Sequence, residues 1–432
     1  MSDRTVNDLG CVPAELPYFH TVGIGAGPAN LSLAALFESA TTERIALFDA
    51  APGPSWHADL LYSGVRMQTG WLKDLVSLVD PRHKLTFHNY LVTTGRLYAL
   101  LNAQFDAIPR IEYQRYLAWA AEQIGNISYS SRIDRVSFGE GGFTVHSDGK
   151  PLARSEHLVL GVGTRPMLPA YLGGLPADQV FIADGLAARL DAMRADTEAP
   201  VAVIGAGQTG IECVFRLLGA GFTDISWFGR HQWFQSIDDS PIANDIYRPQ
   251  HVDYMQELTR TTRRQLIADH KLTGDALTPG ALRALYQANY DGMLELGRYP
   301  VTLLPHRDVT SGERDGNDIV LRCTSPERRE EYRFRHVVVA AGREATPLPL
   351  DDELRERIDL DDENEMIVES DFSVRWKGMN GHKIYALGAS RYSHGLTNAG
   401  LTLLPVRAAR VVNSMFGTHI YQVRDELSPV RW

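Results

Sequence analysis

The sequence contains Gly25-Ala26-Gly27-Pro28-Ala29-Asn30 and Gly205-Ala206-Gly207-Gln208-Thr209-Gly210, two glycine-rich turns of equal length. Each turn follows an apolar segment typical of a buried strand, residues 21–24 and 201–204, and opens an apolar segment typical of a helix. In that context glycine lets the backbone approach a pyrophosphate at a helix N-terminus. Two such units predict an α/β fold with two Rossmann-like, dinucleotide-binding domains.

The two units differ at the end of their second strand. Asp49 follows the apolar segment 45–48, where a carboxylate accepts the hydroxyls of an adenosine ribose. Gly229 takes this place in the second unit and is followed by Arg230, a cation suited to a 2′-phosphate. The second site is therefore predicted to bind NADPH, although a solvated surface arginine is the alternative. The first dinucleotide is then FAD, to which NADPH would pass a hydride.

A second duplication supports a division of the chain into nucleotide domains. Residues 158–163 and 337–342 are buried-strand runs that end at glycine and continue through proline-broken crossovers. The second nucleotide domain is interrupted by a segment of helical pattern, which forms either a substrate pocket or a structural cap. The predicted organisation is a leader (1–17), an FAD domain (18–192 and 380–432), an NADPH domain (198–235 and 299–345) and a helical, substrate-binding insertion (236–298).

Composition favours a cytoplasmic enzyme acting on a small molecule. Hydrophobic residues make up 44% of the chain and charged residues 22%, and the net charge of −10 argues against a nucleic-acid surface. No targeting segment or membrane-length apolar run is present, so no membrane partner is expected. Oligomeric state is left open, with a homo-oligomer among the partners considered.

Cysteine and histidine spacing narrows the chemistry. Cys11, Cys213 and Cys323 lie far apart and form no C-x-x-C pair, which excludes the disulfide reductases, and no histidine pair has metal-ligand spacing, so no metal is predicted. Reduced flavin can then pass its electrons to O2. The product is either peroxide, as in an NADPH oxidase or flavin reductase, or a C4a-hydroperoxide that oxygenates a soft nucleophile. A flavin-binding protein without activity is disfavoured by the two intact nucleotide motifs.

Further motifs resemble those of the flavin-dependent N-hydroxylating monooxygenases, the lysine and ornithine N-monooxygenases of siderophore biosynthesis. The resemblance covers nearly the whole chain and includes Asn30 in place of a third glycine. It rests on Trp56-His57, Met67-Gln68, Leu72-Lys73-Asp74-Leu75-Val76, Phe87-His88-Asn89-Tyr90-Leu91, Tyr116-Leu117-Ala118-Trp119-Ala120-Ala121, Asp238-Asp239-Ser240-Pro241 with Asn244, Ser393-His394-Gly395-Leu396 and Leu404-Pro405-Val406-Arg407.

The resemblance implies a set of cofactor contacts. Gln68 would lie near the flavin and Gln208 near the nicotinamide, and no side chain is assigned as a general acid or base. The implied FAD contacts are Gly25, Ala26, Gly27, Asn30, Asp49, Trp56, His57, Met67, Gln68, Ala399, Gly400 and Leu401. The implied NADPH contacts are Ala206, Gly207, Gln208, Thr209, Gly210 and Arg230.

The resemblance also implies the substrate, a terminal primary amine hydroxylated with O2 to a hydroxylamine for a hydroxamate siderophore. Lys73 would pair with an amino-acid carboxylate, and the other implied substrate contacts are Asn244, Lys271, Thr273 and Thr402. The segment 271–275 is closer to the lysine than to the ornithine enzymes, which favours L-lysine. Ornithine and the diamines putrescine and cadaverine remain open, because Asp275 could reshape that end of the pocket.

One departure from the family pattern concerns the second nucleotide domain. The family has Ala-Thr-Gly-Tyr near the end of this domain, and this chain has Ala340-Ala341-Gly342-Arg343. The role of Arg343 in place of the family tyrosine is therefore not given by the resemblance.

Overall fold

The computed structural model describes residues 16–68, 73–378, 381–388, 390–423 and 427–432. The strands are β1 (Tyr18–Ile24), β2 (Ile45–Phe48), β3 (Ile127–Ser128), β4 (Arg135–Gly139), β5 (Gly142–Ser147), β6 (Lys150–Leu160), β7 (Thr164–Pro166), β8 (Val180–Ile182), β9 (Val201–Ile204), β10 (Ile225–Gly229), β11 (Val301–Pro305), β12 (Asp308–Asp315), β13 (Asp318–Thr324), β14 (Arg329–Phe334), β15 (His336–Val339), β16 (Arg343–Ala345) and β17 (Ile384–Ala386). The helices are α1 (Pro28–Ala40), α2 (Phe87–Thr93), α3 (Leu97–Ala103), α4 (Arg110–Ala121), α5 (Leu186–Met193), α6 (Gln208–Gly219), α7 (Pro241–Asn244), α8 (Pro249–Glu257), α9 (Arg260–Asp269), α10 (Pro279–Leu296), α11 (Asp352–Glu356), α12 (Arg391–His394) and α13 (Leu404–Phe416).

The first sheet has the order β3-β2-β1-β6-β5-β4, with β17 paired to the end of β6. Strands β1, β2, β3, β6 and β17 are parallel, whereas β4 and β5 form an antiparallel extension of β6. Helices α1, α4 and α13 cover one face and share one apolar core. The C-terminal part of the chain therefore returns to the first sheet. The predicted leader lies outside the described residues except for its last two positions.

The second sheet is parallel, with the order β11-β10-β9-β15-β8. Strand β8 pairs with β15, and α5 contributes Leu186 and Leu190 to the core of the second sheet. Strand β8 and helix α5 thus lie with the second sheet, which corrects the end of the first part of the FAD domain from residue 192 to a position before β8. The sequence offers no break there because β8 has only three residues.

Two short strands link the halves. Strands β7 and β16, which follow the two glycine-ended strands, pair with each other as an antiparallel ribbon. Arg343 on β16 donates from Nε to Thr164 Oγ1 at 3.0 Å and from Nη1 to Asp184 Oδ2 at 3.1 Å. The arginine that departs from the family pattern therefore fastens the link between the domains.

The insertion is helical, as its pattern predicts, and contains α7, α8, α9 and α10. Helices α8 and α9 are separate, because Thr259 caps a new helix by accepting a hydrogen bond from Thr262 N. The turn before α10 is held against the entry segment, where Asp238 N donates to Leu272 O at 2.9 Å and Ile237 N to Leu277 O at 2.8 Å. Next to this turn, Thr278 N donates to Gln208 Oε1 of the second domain at 3.1 Å, and Asp275 pairs with Arg391 of α12 at 2.8 Å.

Two further findings concern the helices and the cysteines. In the described residues no helix is long and apolar enough to cross a membrane. Cys213 and Cys323 are buried free thiols whose pKa values are raised by burial, and Cys11 lies outside the described residues.

Candidate functional site

The first glycine turn joins β1 to α1 and is shaped by close backbone packing. Gly25 has φ +92°, and a Cβ there would lie 2.4 Å from the carbonyl oxygen of Gly161. Gly27, by contrast, has no described atom within 4 Å of a built Cβ. The turn therefore packs tightly on β6 at its first glycine and leaves an open approach at its second, where a pyrophosphate would meet the N-terminus of α1.

Asp49 and Asn30 hold this turn from two sides. The Asp49 carboxylate accepts hydrogen bonds from Ala26 N at 2.6 Å and Ala51 N at 2.7 Å. Asn30 is 1% exposed and donates from Nδ2 to Gly25 O at 2.7 Å and to Ile24 O at 3.1 Å. Asn30, predicted to bind cofactor, therefore acts on the turn itself, whereas the half-buried Asp49 keeps acceptor capacity for a ribose.

The second glycine turn joins β9 to α6. A Cβ on Gly205 would lie 2.1 Å from Ala340 O, and one on Gly210 would lie 2.0 Å from Gly205 O. Gly207 is open in the same way as Gly27. The Gly205 carbonyl accepts a hydrogen bond from Trp227 Nε1 at 2.8 Å. The two turns therefore share one geometry, with an open glycine at each helix N-terminus.

Basic side chains gather beyond the end of β10. Arg230 is exposed and makes no ion pair with any described residue. Burial lowers the pKa of the neighbouring His231, and the positive charges of Lys271 and Arg230 lower it further. Lys271, predicted to contact the substrate, is therefore close enough to His231 for its charge to act on that imidazole.

A buried ion pair joins the two nucleotide domains. Arg110, at the start of α4, donates to Glu212 of α6 through both terminal nitrogens at 2.9 and 2.8 Å, and their side chains are 13% and 4% exposed. Gln208 donates from Nε2 to the same carboxylate at 3.1 Å, and its Oε1 accepts from Thr278 N at 3.1 Å. Gln208, predicted to lie near the nicotinamide, is thus held in one orientation by both the second domain and the insertion.

The loop predicted to border the flavin lies at this junction. Trp56 is half-buried and packs edge-to-face on Tyr113 at 5.7 Å. His57 is exposed, and the surrounding protein atoms, with the charges of Arg110 and Arg343, lower the pKa of its imidazole. His57 therefore lies near two arginines of the domain junction, Arg110 and Arg343.

The end of this loop has one buried and one exposed residue. Met67 is buried, and its backbone N donates to Ile108 O at 2.9 Å. Gln68 is exposed, and residues 69–72 lie outside the described part. Of the pair predicted to lie beside the flavin, Gln68 is therefore the one whose side chain is open to a ligand.

Three of the predicted site residues meet around Tyr247. The Lys73 ammonium lies 5.9 Å from the centre of the Tyr247 ring, within the range of a cation–π contact. The Tyr247 hydroxyl donates to Thr273 O at 2.9 Å, and a Cβ on Gly400 would lie 3.8 Å from Tyr247 Cε1. The aromatic ring therefore connects the first domain, the insertion and the segment predicted to touch the flavin.

Lys73 is held in place by its neighbour. Asp74 is 1% exposed, and its carboxylate accepts hydrogen bonds from Val76 N, Ser77 N and Phe87 N at 2.6 to 2.9 Å. This carboxylate fixes the turn from which Lys73 projects. Burial lowers the pKa of the Lys73 ammonium, which has no ion-pair partner among the described residues.

The remaining predicted residues surround this group at different depths. Asn244 is exposed, and its amide donates to Asp239 O at 3.0 Å. Thr402, predicted to contact the substrate, is 2% exposed, and the nearby Gly400 carbonyl accepts a hydrogen bond from the buried Arg407 at 3.1 Å. Leu401 packs against the first core, and the side chain of Ala399 lies outside the described part.

Sequence reasoning missed three residues that organise the site: Tyr247, Glu212 and Trp227. Tyr247 lies three residues after Asn244, so its turn was identified but its side chain was not. Glu212 lies one helical turn after Gln208, a spacing at which helical side chains meet. Trp227 is 0% exposed although its indole N–H needs a buried acceptor, which could have indicated a role in the turn.

Comparison with known proteins identifies the family to which this architecture belongs. Residues 17–345 match the family described as L-lysine 6-monooxygenase/L-ornithine 5-monooxygenase. The chain is 30% identical to the L-lysine N6-monooxygenase of Escherichia coli, over 95% of this chain and 97% of that protein.

Two solved structures share the fold. The FAD-bound cadaverine monooxygenase DfoA of Erwinia amylovora superposes with a TM-score of 0.89 at 24% identity, over 96% of this chain and 98% of its own. The ornithine N-hydroxylase KtzI of Kutzneria sp. 744, with reduced FAD, NADP⁺ and L-ornithine, gives 0.85 at 25%, over 93% and 99%. The prediction of an N-hydroxylating monooxygenase is thus confirmed, and the chain belongs to the L-lysine 6-monooxygenase/L-ornithine 5-monooxygenase family.

Proposed function

We propose that this chain binds FAD at the first glycine turn and NADPH at the second, and hydroxylates the terminal amine of L-lysine with O2. The hydroxylamine product would serve hydroxamate siderophore biosynthesis. The open glycines Gly27 and Gly207 support the two dinucleotide sites, because each leaves room at a helix N-terminus. The solved relatives include a cadaverine monooxygenase and an ornithine N-hydroxylase. The choice of amine is therefore argued from the residues of this pocket.

One observation carries the choice of an amino acid, namely the unpaired ammonium of Lys73. It is half-buried, its pKa is lowered by burial, it forms no ion pair with a described residue, and it lies 5.9 Å from the centre of the Tyr247 ring. A substrate carboxylate would supply the missing counter-charge. A diamine would instead bring a second ammonium toward the first, which is unfavourable in a desolvated pocket.

The acid that could favour a diamine is already engaged. Asp275, beside the Tyr247 hydroxyl, pairs with Arg391 of α12 at 2.8 Å. Burial is the main cause that raises the pKa of the Tyr247 hydroxyl; the charge of Asp275 also raises it, and the charge of Arg391 lowers it. The described charges near Tyr247 thus combine one neutralised pair with one free cation, a balance that suits a carboxylate.

The chain's own task in the reaction is to position the amine and exclude water. When bound, reduced flavin supplies the activation of O2. The amine must be neutral to act as a nucleophile, and a free lysine side chain with a pKa of about 10.4 is almost entirely protonated near neutral pH. With its carboxylate bound at Lys73, lysine would extend its amine away from that cation, toward the segment of Gly400 and Leu401.

The test is a substrate panel of L-lysine, L-ornithine, putrescine and cadaverine, scored by hydroxylamine formed rather than NADPH consumed. Lys73→Ala should raise the apparent KM for lysine by the equivalent of about 2 to 4 kcal/mol, because a desolvated charge contact is lost. Flavin content and the rate of flavin reduction by NADPH should stay near the parent values. Lys84→Ala, at an exposed lysine of the same segment, is the matched control.

Each outcome discriminates between candidates. A parent enzyme that prefers cadaverine would replace the amino-acid proposal with a diamine hydroxylase. Peroxide release that is the same with and without every amine would indicate an NADPH oxidase. Loss of flavin reduction in Lys73→Ala would show that the lysine does not act through the substrate carboxylate.

A further inference from the structure

An ion pair joins the insertion to α12 beside Tyr247. Arg391 of α12 donates from Nη2 to Asp275 Oδ2 at 2.8 Å. Asp275 follows Gly274, where a built Cβ would lie 3.0 Å from the Tyr247 hydroxyl oxygen. The charges of Asp275 and Arg391 both reach this hydroxyl, and the Lys73 ammonium lies 5.9 Å from the centre of the ring. The ion pair and the lysine therefore border the same aromatic side chain.

This ion pair is open to water. The side chains of Arg391 and Asp275 are 35% and 42% exposed. An ion pair with this exposure contributes little to the stability of a fold, because water screens the attraction and the two side chains lose freedom. Its larger effect is on the charge that a ligand meets beside Tyr247. While the pair is formed, the Asp275 carboxylate is already neutralised, and the Lys73 ammonium forms no ion pair with a described residue.

We propose that Arg391 determines the specificity of the enzyme, because its pairing with Asp275 withholds that carboxylate from the second ammonium of a diamine. This inference rests on the proposed function, since it takes the amine substrate to bind beside Tyr247. With the pair formed, Lys73 favours a ligand that carries a carboxylate. Without Arg391, the Asp275 carboxylate is open to an ammonium, and the same pocket accepts a diamine.

The charges of the two ligands make the effect selective. L-lysine brings a carboxylate and an α-ammonium together, so a freed Asp275 repels one group and attracts the other, and the two effects largely cancel. Cadaverine is lysine without the carboxylate. When one of its amines is neutral and reacts, the other is an ammonium that gains the full attraction. Specificity is a difference between two affinities, and Arg391 is therefore expected to control the ratio of cadaverine to lysine turnover.

The test measures kcat/KM for hydroxylamine formation from cadaverine and from L-lysine, with the full-length, flavin-loaded enzyme. Arg391→Gln should raise the cadaverine-to-lysine ratio about tenfold or more, because a charge-assisted contact to the diamine is gained. Asp275→Asn leaves Arg391 as an additional cation and should lower the ratio. The double variant carries two neutral amides, as neutral in sum as the parent pair, and should return to the parent ratio. Arg333→Gln, which breaks an exposed pair with Asp315 in the second half, should leave the ratio unchanged.

Two further measurements separate this role from a structural one. Flavin content and the rate of flavin reduction by NADPH should match the parent in every variant. Arg391→Lys keeps a cation for Asp275 and should keep the parent ratio.

A ratio that does not change in Arg391→Gln would overturn the proposal. A gain for cadaverine that persists in the double variant would also overturn it, because the Asp275 carboxylate would then have no part in the gain. A parent enzyme that already prefers cadaverine would instead contradict lysine as the substrate, whereas the role of Arg391 is measured by the change in the ratio between the parent and its variants.

Discussion

The two dinucleotide-binding halves satisfy the same backbone group in different ways. In each turn the carbonyl of the first glycine faces inward and needs a donor. In the first half the donor is Asn30 Nδ2, 2.7 Å from Gly25 O, and in the second it is Trp227 Nε1, 2.8 Å from Gly205 O. Gly210 occupies the position that Asn30 has in the first half. A Cβ on Gly210 would lie 2.9 Å from Trp227 Nε1, so glycine leaves room for the indole. Asn30 in the first half and Trp227 with Gly210 in the second therefore do the same thing: they supply a hydrogen-bond donor to the carbonyl of the first glycine.

The two halves differ more at the residue that follows their second strand, where the adenosine ribose of each dinucleotide is predicted to bind. Asp49 is half-buried and bonded to two backbone N–H groups, whereas Arg230 is exposed and free of ion pairs in the described part of the chain. A carboxylate fixed in advance suits a cofactor that stays bound. An exposed cation suits a nucleotide that binds and leaves in every turnover. We infer that the first half is built for retention and the second for exchange.

The largest effects are expected from alanine at the first glycine of each turn. Gly25→Ala adds a Cβ 2.4 Å from Gly161 O, and Gly205→Ala adds one 2.1 Å from Ala340 O, both at positive φ. Gly25→Ala should abolish flavin retention. Gly205→Ala should keep the flavin but lose its reduction by NADPH. Flavin absorbance of the purified protein and anaerobic stopped-flow reduction measure the two effects.

A control separates the clash from the backbone strain. Gly149 has φ +71° in a hairpin with no described atom within 4 Å of a built Cβ, so Gly149→Ala carries only the cost of its conformation, about 1 to 2 kcal/mol. It should leave both cofactor functions intact. A Gly25→Ala protein that keeps its flavin would contradict the retention assigned to the first half.

The first half should also be sensitive to acid, through two buried histidines. Burial is the main cause that lowers the pKa of His157 and of His394 to about 3, from an ordinary 6.5. Between these values the unfolded chain binds more protons, so stability is complete above about pH 6.5 and falls as the pH drops. At about pH 5 the loss should be about 2 kcal/mol for each histidine.

Thermal unfolding with flavin release as a second readout, from neutral pH to about pH 5, measures this loss. His157→Asn keeps an acceptor for Lys383 N, which bonds His157 Nδ1 at 3.1 Å, and should flatten part of the pH dependence. A midpoint temperature that is constant over this range would show that neither histidine is held neutral.

The junction between the halves should give the next largest effect. Glu212→Gln removes the charge that neutralises Arg110 in a buried pair, and the expected loss of stability is about 3 kcal/mol. Because the same carboxylate holds Gln208, flavin reduction by NADPH should also slow. Asp315→Asn, which breaks an exposed pair with Arg333 in the second half, should cost at most about 1 kcal/mol and leave reduction unchanged. Equal effects of the two variants on stability and on flavin reduction would contradict a positioning role for Glu212.

The sequence predicts the local parts of this comparison well. The glycine turns, their strands and the contrast of Asp49 with Gly229-Arg230 depend on neighbouring residues, and the structure has them where the pattern predicts. The linker pair of Arg343 with Asp184 and the change of sheet at β8 depend on contacts between residues far apart in the chain. No periodicity reports such contacts.

The site shows the same limit. Lys73 was identified by a motif, but its aromatic partner Tyr247 comes from the insertion and is visible only in three dimensions. His20, Glu156 and His157 also converge within 4.8 Å from two adjacent strands, although their sequence spacing predicts no metal site. There His157 Nδ1 already accepts a backbone N–H, which leaves the proton on Nε2 in the neutral ring and opposes metal binding at that atom.

The smallest effect should come from the outer end of the second half, at the 2′-phosphate. Arg230→Ala should reduce the preference for NADPH over NADH by the equivalent of about 1.5 to 3 kcal/mol, because one charge-assisted contact is lost. Lys271→Ala should shift the same preference in the same direction by less, since its charge acts on His231 beside Arg230. The ratio of kcat/KM for the two nucleotides, measured with saturating amine, gives both numbers. A rise in the KM of Lys271→Ala for the amine but not for NADPH would indicate that Lys271 contacts the substrate instead. Equal use of NADPH and NADH by the parent enzyme would contradict the proposed contrast between the two halves.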